Sequence, residues 1–81
     1  MVDRLLGKKV IGIKQSTKSL ENGEGKTLYV AKDAQVELVK HVIEVATSVK
    51  VETIYVDTMR DLGKLCGIDV GAAVALVLKS L

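Results

Sequence analysis

The stretch GIKQSTK (residues 12–18) lies where a run of β-branched residues, Val10, Ile11 and Ile13, gives way to a polar segment that ends at Asn22-Gly23. We predict that a strand passes into a helix here, because β-branched residues favour strands and glycine commonly terminates helices. Such a junction directs free backbone N–H groups to one spot, beside an amide, a hydroxyl and two ammonium groups from the same stretch. The stretch therefore favours contact with a polyanion.

Length and composition limit the class of protein. The 81 residues have room for one domain, residues 1–81, and 48% are hydrophobic although Trp, Phe and Pro are absent. The core must therefore be built from Val, Leu, Ile and Ala. The single cysteine, Cys66, cannot form an intramolecular disulfide, and no leader of signal-peptide type opens the chain, so we expect a cytoplasmic protein. No apolar stretch reaches the ~20 residues that a membrane span requires, so we expect no membrane partner.

The charge distribution is more informative than the net charge of +2. Seven of the twelve basic residues lie within residues 1–33, against four acidic residues, and the rest of the chain is slightly acidic. A positive bias over one part of the surface is compatible with phosphate contact, although a solvated charged face gives the same pattern.

Strand-like and helical periods alternate along the chain. We predict strands at residues 10–13, 28–31, 53–56 and 72–78, and helices at residues 1–6, 15–21, 33–49 and 59–66. This alternation predicts an α/β fold, a three-layer α/β/α sandwich with a four-stranded mixed sheet. The helix predicted over residues 33–49 is expected to begin at Asp33, whose carboxylate can cap free N–H groups. Its predicted buried face comprises Val36, Val39, Val42 or Ile43, Ala46 and Val49.

Groups suited to catalysis or metal binding are few. Cys66 falls on the apolar face of the third helix, which predicts a buried structural thiol, and the single histidine, His41, is expected at the surface. The stretch NGEGK (residues 22–26) lacks the phosphate-loop spacing and follows a helix, so we predict a turn. We therefore expect no enzyme, no cofactor and no metal site.

Three motifs occur together in this chain: GIKQSTK (residues 12–18), VAKDAQ (residues 30–35) and LGKLCGI (residues 62–68). In order and spacing they resemble the kink-turn RNA-binding ribosomal-protein family of L7Ae and L30e type, and within it the short bacterial relatives. The resemblance runs from about Val10 to Leu78 and implies a protein that binds structured RNA.

The resemblance also implies roles for individual residues. The family motif reads Gly-x-Asn-Glu-x-Thr-Lys, and its Asn and Glu contact guanines of sheared G·A pairs; here these positions are Lys14 and Gln15, as in short bacterial members. Lys14 can donate to guanine O6 or N7, and the Gln15 carbonyl can accept from a guanine N–H. The resemblance places Ile68 against an extruded nucleotide. The full set of implied RNA-binding residues is Gly12, Lys14, Gln15, Thr17, Lys18, Lys32, Gln35, Lys64, Ile68, Asp69 and Val70.

The expected function is therefore recognition of a bent, G·A-paired kink-turn by a monomeric protein that is ribosomal or ribosome-associated. The same fold could instead present its second helix to a protein partner without RNA contact.

Overall fold

The structure, a computed structural model, describes residues 7–79. Strands and helices alternate as the sequence predicts, while the helix predicted over residues 1–6 lies outside the described residues. The elements are β1 (Lys9–Ile11), α1 (Ile13–Glu21), β2 (Gly25–Ala31), α2 (Val36–Ser48), β3 (Glu52–Val56), α3 (Met59–Leu65) and β4 (Val74–Leu78).

The four strands form one mixed sheet in the order β1-β4-β2-β3. β4 is antiparallel to both β1 and β2, and β2 is parallel to β3. The predicted four-stranded mixed sheet is therefore confirmed. In this order β1, β2 and β3 all end at the edge of the sheet where β4 begins, which we call the carboxyl edge. Loops that follow the three parallel strands consequently meet there.

Helices cover both faces of the sheet, as the predicted three-layer sandwich requires. α1 and α2 pack against each other and on the sheet, whereas α3 packs on β2, β3 and β4. Leu28 is paired in register with Leu76. All residues of β4 except the last are buried, whichever face they point to. Burial of alternate side chains on both sides of one strand indicates that both faces are covered.

Several element boundaries differ from the predictions. β1 ends at Ile11, and Ile13 already belongs to α1, because Gly12 turns the chain with φ of 106°. β2 begins at Gly25, so the predicted turn over residues 22–26 is confined to residues 22–24. β4 begins at Val74 instead of residue 72 because residues 66–73, the α3–β4 loop, lie along α3.

The start and the buried face of α2 also differ from the predictions. α2 begins at Val36 with Gln35 at its N-cap, and Asp33 lies in the preceding turn, where its carboxylate contacts α3. Val39, Val42 and Ala46 are buried as predicted, but Val36 and Val49 are 68% and 42% exposed. Both exposed valines lie at the ends of the helix, beyond the part that packs on the sheet.

Gly63 allows the α3–β4 loop to lie directly on α3. A Cβ placed on Gly63 would clash with the carbonyl oxygen of Val70, which belongs to this loop. The loop is further held by the Ile68 amide, which donates to the Gly63 carbonyl at 3.0 Å, and by the Ala72 amide, which donates to the Met59 carbonyl at 3.0 Å. Glycine is therefore required at position 63 by the close approach of the loop backbone, although glycine is unfavourable within a helix.

We expect Gly63→Ala to lower the free energy of unfolding by about 1–3 kcal/mol, because the added methyl must displace backbone. This effect opposes helix propensity, which favours Ala over Gly by about 1 kcal/mol. Urea denaturation measures the difference, with Lys64→Ala on the exposed side of α3 as the matched control, for which a change within about 0.5 kcal/mol is expected. A Gly63→Ala protein as stable as the wild type would contradict this account of the loop.

Candidate nucleic-acid interface

The amino-terminal end of α1 is fixed at the carboxyl edge and faces outward. The Gly12 amide donates to the Val74 carbonyl at 3.1 Å, which joins the start of α1 to the start of β4. α1 has no side-chain cap and no acidic residue in its first turn. Its first-turn N–H groups and the positive end of the helix dipole are thus available to an anion.

The side chains of α1 divide clearly between the core and solvent. Ser16 and Leu20, one turn apart, are fully buried, and the Ser16 hydroxyl has no hydrogen-bond partner within residues 7–79. Lys14, Gln15 and Lys18 are exposed. The predicted base-contacting and phosphate-contacting residues therefore lie together on the outer side of the first two helical turns.

Thr17 is engaged inside the helix. Its hydroxyl donates to the Ile13 carbonyl at 2.7 Å, and the residue is half-buried. The hydroxyl proton is therefore already used within the helix, in a bond to the carbonyl four residues earlier. A direct contact between Thr17 and RNA stays a prediction.

A shallow groove runs between α1 and α2. Four of the predicted residues line it, and three further residues, Ile13, Glu21 and His41, were not assigned to the site from the sequence. His41 is exposed, as expected, but α2 places it opposite α1. No signal in the sequence indicates that His41 faces α1, because helical periodicity identifies a buried face without identifying the neighbouring helix. The residues lining this α1–α2 groove are Ile13, Lys14, Gln15, Thr17, Lys18, Glu21 and His41.

The loop between β2 and α2 contributes two predicted residues to the carboxyl edge. The Lys32 ammonium lies 3.3 Å from the Asp57 carboxylate, and these side chains are 60% and 80% exposed. Exposed ion pairs contribute about 0–1 kcal/mol, so Lys32 can exchange this carboxylate for a phosphate at little cost. Gln35 is exposed at the N-cap of α2, and its side chain makes no capping hydrogen bond.

Asp33 joins this loop to α3. Its carboxylate accepts from the Met59 amide at 2.7 Å, and the Thr58 hydroxyl accepts from the Asp61 amide at 3.0 Å. These bonds fix the first turn of α3 at the carboxyl edge. Lys64 is exposed in the last turn of α3, so it lies farther from this edge than the first turn does.

Of the two apolar side chains that the resemblance implies on the α3–β4 loop, Ile68 and Val70, the more exposed is Val70. Ile68 is half-buried and packs against the hydrophobic core. Val70 is 70% exposed, and Asp69 beside it is also exposed. The side chain available to a ligand on this loop is therefore Val70, while Ile68 mainly contributes to packing.

The described residues offer little for metal or thiol chemistry. Burial raises the pKa of the Cys66 thiol, and the Lys9 ammonium partly opposes this effect. A protonated, buried thiol is a poor nucleophile. Within residues 7–79 no three His, Cys, Asp or Glu side chains are grouped so that they could hold a metal ion. Nor is any helix in this range long and apolar enough to cross a membrane.

Comparison with known proteins identifies the family. The model of the ribosomal protein L7Ae/L30e/S12e/Gadd45 family matches residues 5–80. The chain belongs to this family. The predicted relationship is thereby confirmed, and the fold described above is that of a family member.

Relatives agree with this assignment, and a solved structure shares the fold. An RNA-binding protein of Caldanaerobacter subterraneus subsp. tengcongensis is 41% identical over 75 residues, which cover 93% of this chain and 92% of that protein. An RNA-binding protein of Halalkalibacterium halodurans is 47% identical over 70 residues, 86% of this chain and 85% of that protein. The structure of the Giardia lamblia 15.5kD RNA binding protein superimposes with a TM-score of 0.84 at 23% identity, over 89% of this chain and 61% of that one.

We expect Asp33→Ala to lower the free energy of unfolding by about 0.5–2 kcal/mol, because the first amide of α3 loses its acceptor. Asp33→Asn keeps a side-chain carbonyl at this position and should retain most of the stability. Thermal or urea unfolding measures both variants, with Asp69→Ala as the exposed control. Equal stability of the Asp33→Ala and Asp69→Ala proteins would show that the hydrogen bond to Met59 is not important.

Proposed function

We propose that this protein binds structured RNA at kink-turns, bent internal loops with tandem G·A pairs, and stabilises the bend without catalysing a reaction. Family membership and the relatives named as RNA-binding proteins support the RNA partner. The ribosomal proteins of the family support a ribosomal or ribosome-associated role. A monomeric state and a cytoplasmic location remain predictions.

The observation that carries the proposal is the uncapped, outward-facing end of α1. Its exposed side chains, Lys14, Gln15 and Lys18, can contact guanine edges and phosphates. The Gln15 amide offers a carbonyl that can accept from a guanine N–H, and the Lys14 ammonium can donate to guanine O6 or N7. Lys18, one turn after Lys14 on α1, is exposed and can neutralise a phosphate. Base-edge and phosphate contacts are thus available on one rigid helix.

Stabilisation of the bend follows from differential affinity. Phosphate crowding opposes a sharp kink in RNA, so the kinked form is favoured only to the extent that the protein binds it more tightly than the extended form. Phosphate contacts from lysines supply affinity for any RNA, whereas guanine edges and the shape of the loop supply the preference. The chain contains two aromatic residues of the stacking type, both tyrosines, so an aromatic platform for single strands is not favoured.

A second candidate function is a protein-interaction module that uses the outer side of α2. Val36 and Leu38, in the first turn of this helix, are 68% and 54% exposed, which is compatible with an apolar contact to a partner. Titration with a kink-turn RNA beside a duplex of equal length and charge separates the two functions. Tighter binding of the kink-turn supports the proposal, and the absence of binding to both RNAs contradicts it.

We expect Gln15→Ala to reduce the preference for kink-turn RNA over duplex by about 1–3 kcal/mol, the contribution of one good base-edge contact. Lys18→Ala should weaken binding to both RNAs alike. It should also lower the slope of log affinity against log salt concentration by about one in magnitude, because one phosphate contact is lost. Fluorescence anisotropy titrations at several salt concentrations measure both effects. Equal losses on the two RNAs for Gln15→Ala would show that this side chain contacts no base.

Val70 and Ile68 should have separable effects, because one is exposed and the other packs on the core. We expect Val70→Ala to weaken kink-turn binding by about three- to tenfold with a change in stability within about 0.5 kcal/mol. Ile68→Ala should lower the free energy of unfolding by about 1–2 kcal/mol, whereas Ile68→Val should be nearly neutral. Unchanged kink-turn affinity in the folded Val70→Ala protein would exclude this loop from the interface.

A further inference from the structure

The α1–α2 groove extends the cationic surface of α1 to a second helix. Lys14 and Lys18 lie one turn apart on α1 and both line the groove, as does His41 from α2. His41 is exposed, and no hydrogen bond or ion pair within residues 7–79 engages its ring. The imidazole nitrogens are therefore available to a ligand that occupies the groove.

We infer that this groove is a second contact surface for the phosphate backbone of the bound RNA, and that His41 donates to a phosphate there. The inference rests on the proposed function, since the RNA that meets the end of α1 would continue along the groove through one of its stems. It assigns to α2 an RNA-contacting residue that the motif of α1 does not include.

Charge complementarity favours a phosphate backbone as the occupant. Two lysines and one glutamate line the groove from α1, so α1 presents a net positive charge to it. On α2, Glu37 and Glu44 lie within about one turn of His41 in the sequence, and Lys40 directly precedes it. With a neutral imidazole, these α2 residues therefore sum to a net charge of −1, although none of them lines the groove. Protonation of His41 adds a positive charge on the side of α2 that faces α1.

RNA affinity should consequently depend on pH in a defined direction. Histidine is the side chain whose charge ordinarily changes between about pH 5 and pH 8. A phosphate interacts more strongly with the protonated ring, so binding should tighten as the pH falls from about 8 to about 6. His41 is the single histidine of the chain, which makes pH a selective probe of the groove.

The test is a set of binding titrations at constant ionic strength between about pH 8 and about pH 6. The RNAs are a kink-turn with two full stems, two versions in which one stem or the other is shortened, and a duplex of equal length and charge. The proteins are the wild type, His41→Gln, which cannot be charged, and His41→Lys, which is charged throughout. Lys40→Gln serves as the matched control, because it removes a charge from the adjacent position, which does not line the groove.

We expect wild-type affinity for the full kink-turn to increase about three- to tenfold over this pH range. The increase should be absent in His41→Gln and His41→Lys and retained in Lys40→Gln, and His41→Lys should bind more tightly than the wild type at about pH 8. Shortening the stem that occupies the groove should remove the effect of His41. All variants should melt at the wild-type temperature, since positions 40 and 41 are both exposed.

Identical pH profiles for the wild type and His41→Gln would overturn the inference, as would an effect of His41 that is retained in both of the shortened RNAs. A different result would contradict the proposed function, namely equal affinity of the wild-type protein for the kink-turn and the duplex at every pH. A pH dependence that disappears in His41→Gln on the duplex alone would still support phosphate contact in the groove.

Discussion

The hydrogen bond from the Gly12 amide to the Val74 carbonyl determines where α1 leaves the sheet. β1 has only three residues, so little else fixes the direction of the chain before the helix begins. The positive φ of Gly12 lets the backbone turn while its amide still reaches β4. With this turn in place, Ser16 and Leu20 face the core, and Lys14, Gln15 and Lys18 face solvent. The chemical character of the interface thus follows from one backbone conformation.

The opposite side of the carboxyl edge is organised by contacts between loops and α3. The Asp33 carboxylate fixes the first turn of α3, and the α3–β4 loop returns along the same helix because Gly63 leaves room for its backbone. Close packing of this loop buries one face of Ile68 and turns Val70 outward. The exposed valine is therefore a consequence of a glycine seven residues earlier, and the two positions are linked by packing instead of by local sequence.

Much of the fold could be predicted from local patterns, and the exceptions share one physical cause. The alternation of strands and helices gave the three layers and the mixed sheet, because burial on one or two faces leaves a direct periodicity in sequence. Asp33 looked like a cap for α2 because capping residues are recognised by their position before a helix, yet its acceptor oxygen serves α3, which begins 26 residues later. The position of His41 opposite α1, and the difference in exposure between Ile68 and Val70, were not predicted for the same reason: the surroundings of these residues are set by tertiary contacts.

The electrostatics of the interface are local, which explains why a net charge of +2 gives little indication of it. The outward side of α1 carries Lys14 and Lys18 around an uncharged Gln15, and the first turn contains no carboxylate. An amide at this position keeps the hydrogen-bond acceptor that a guanine N–H requires, and it adds no negative charge near the phosphates. Under the proposed function, affinity therefore depends more on phosphate neutralisation and less on charge-assisted base contacts than in a protein with glutamate there. Under the same proposal, selectivity for the bend is expected to come chiefly from geometry, that is, from the fixed end of α1 and the outward side chain of Val70.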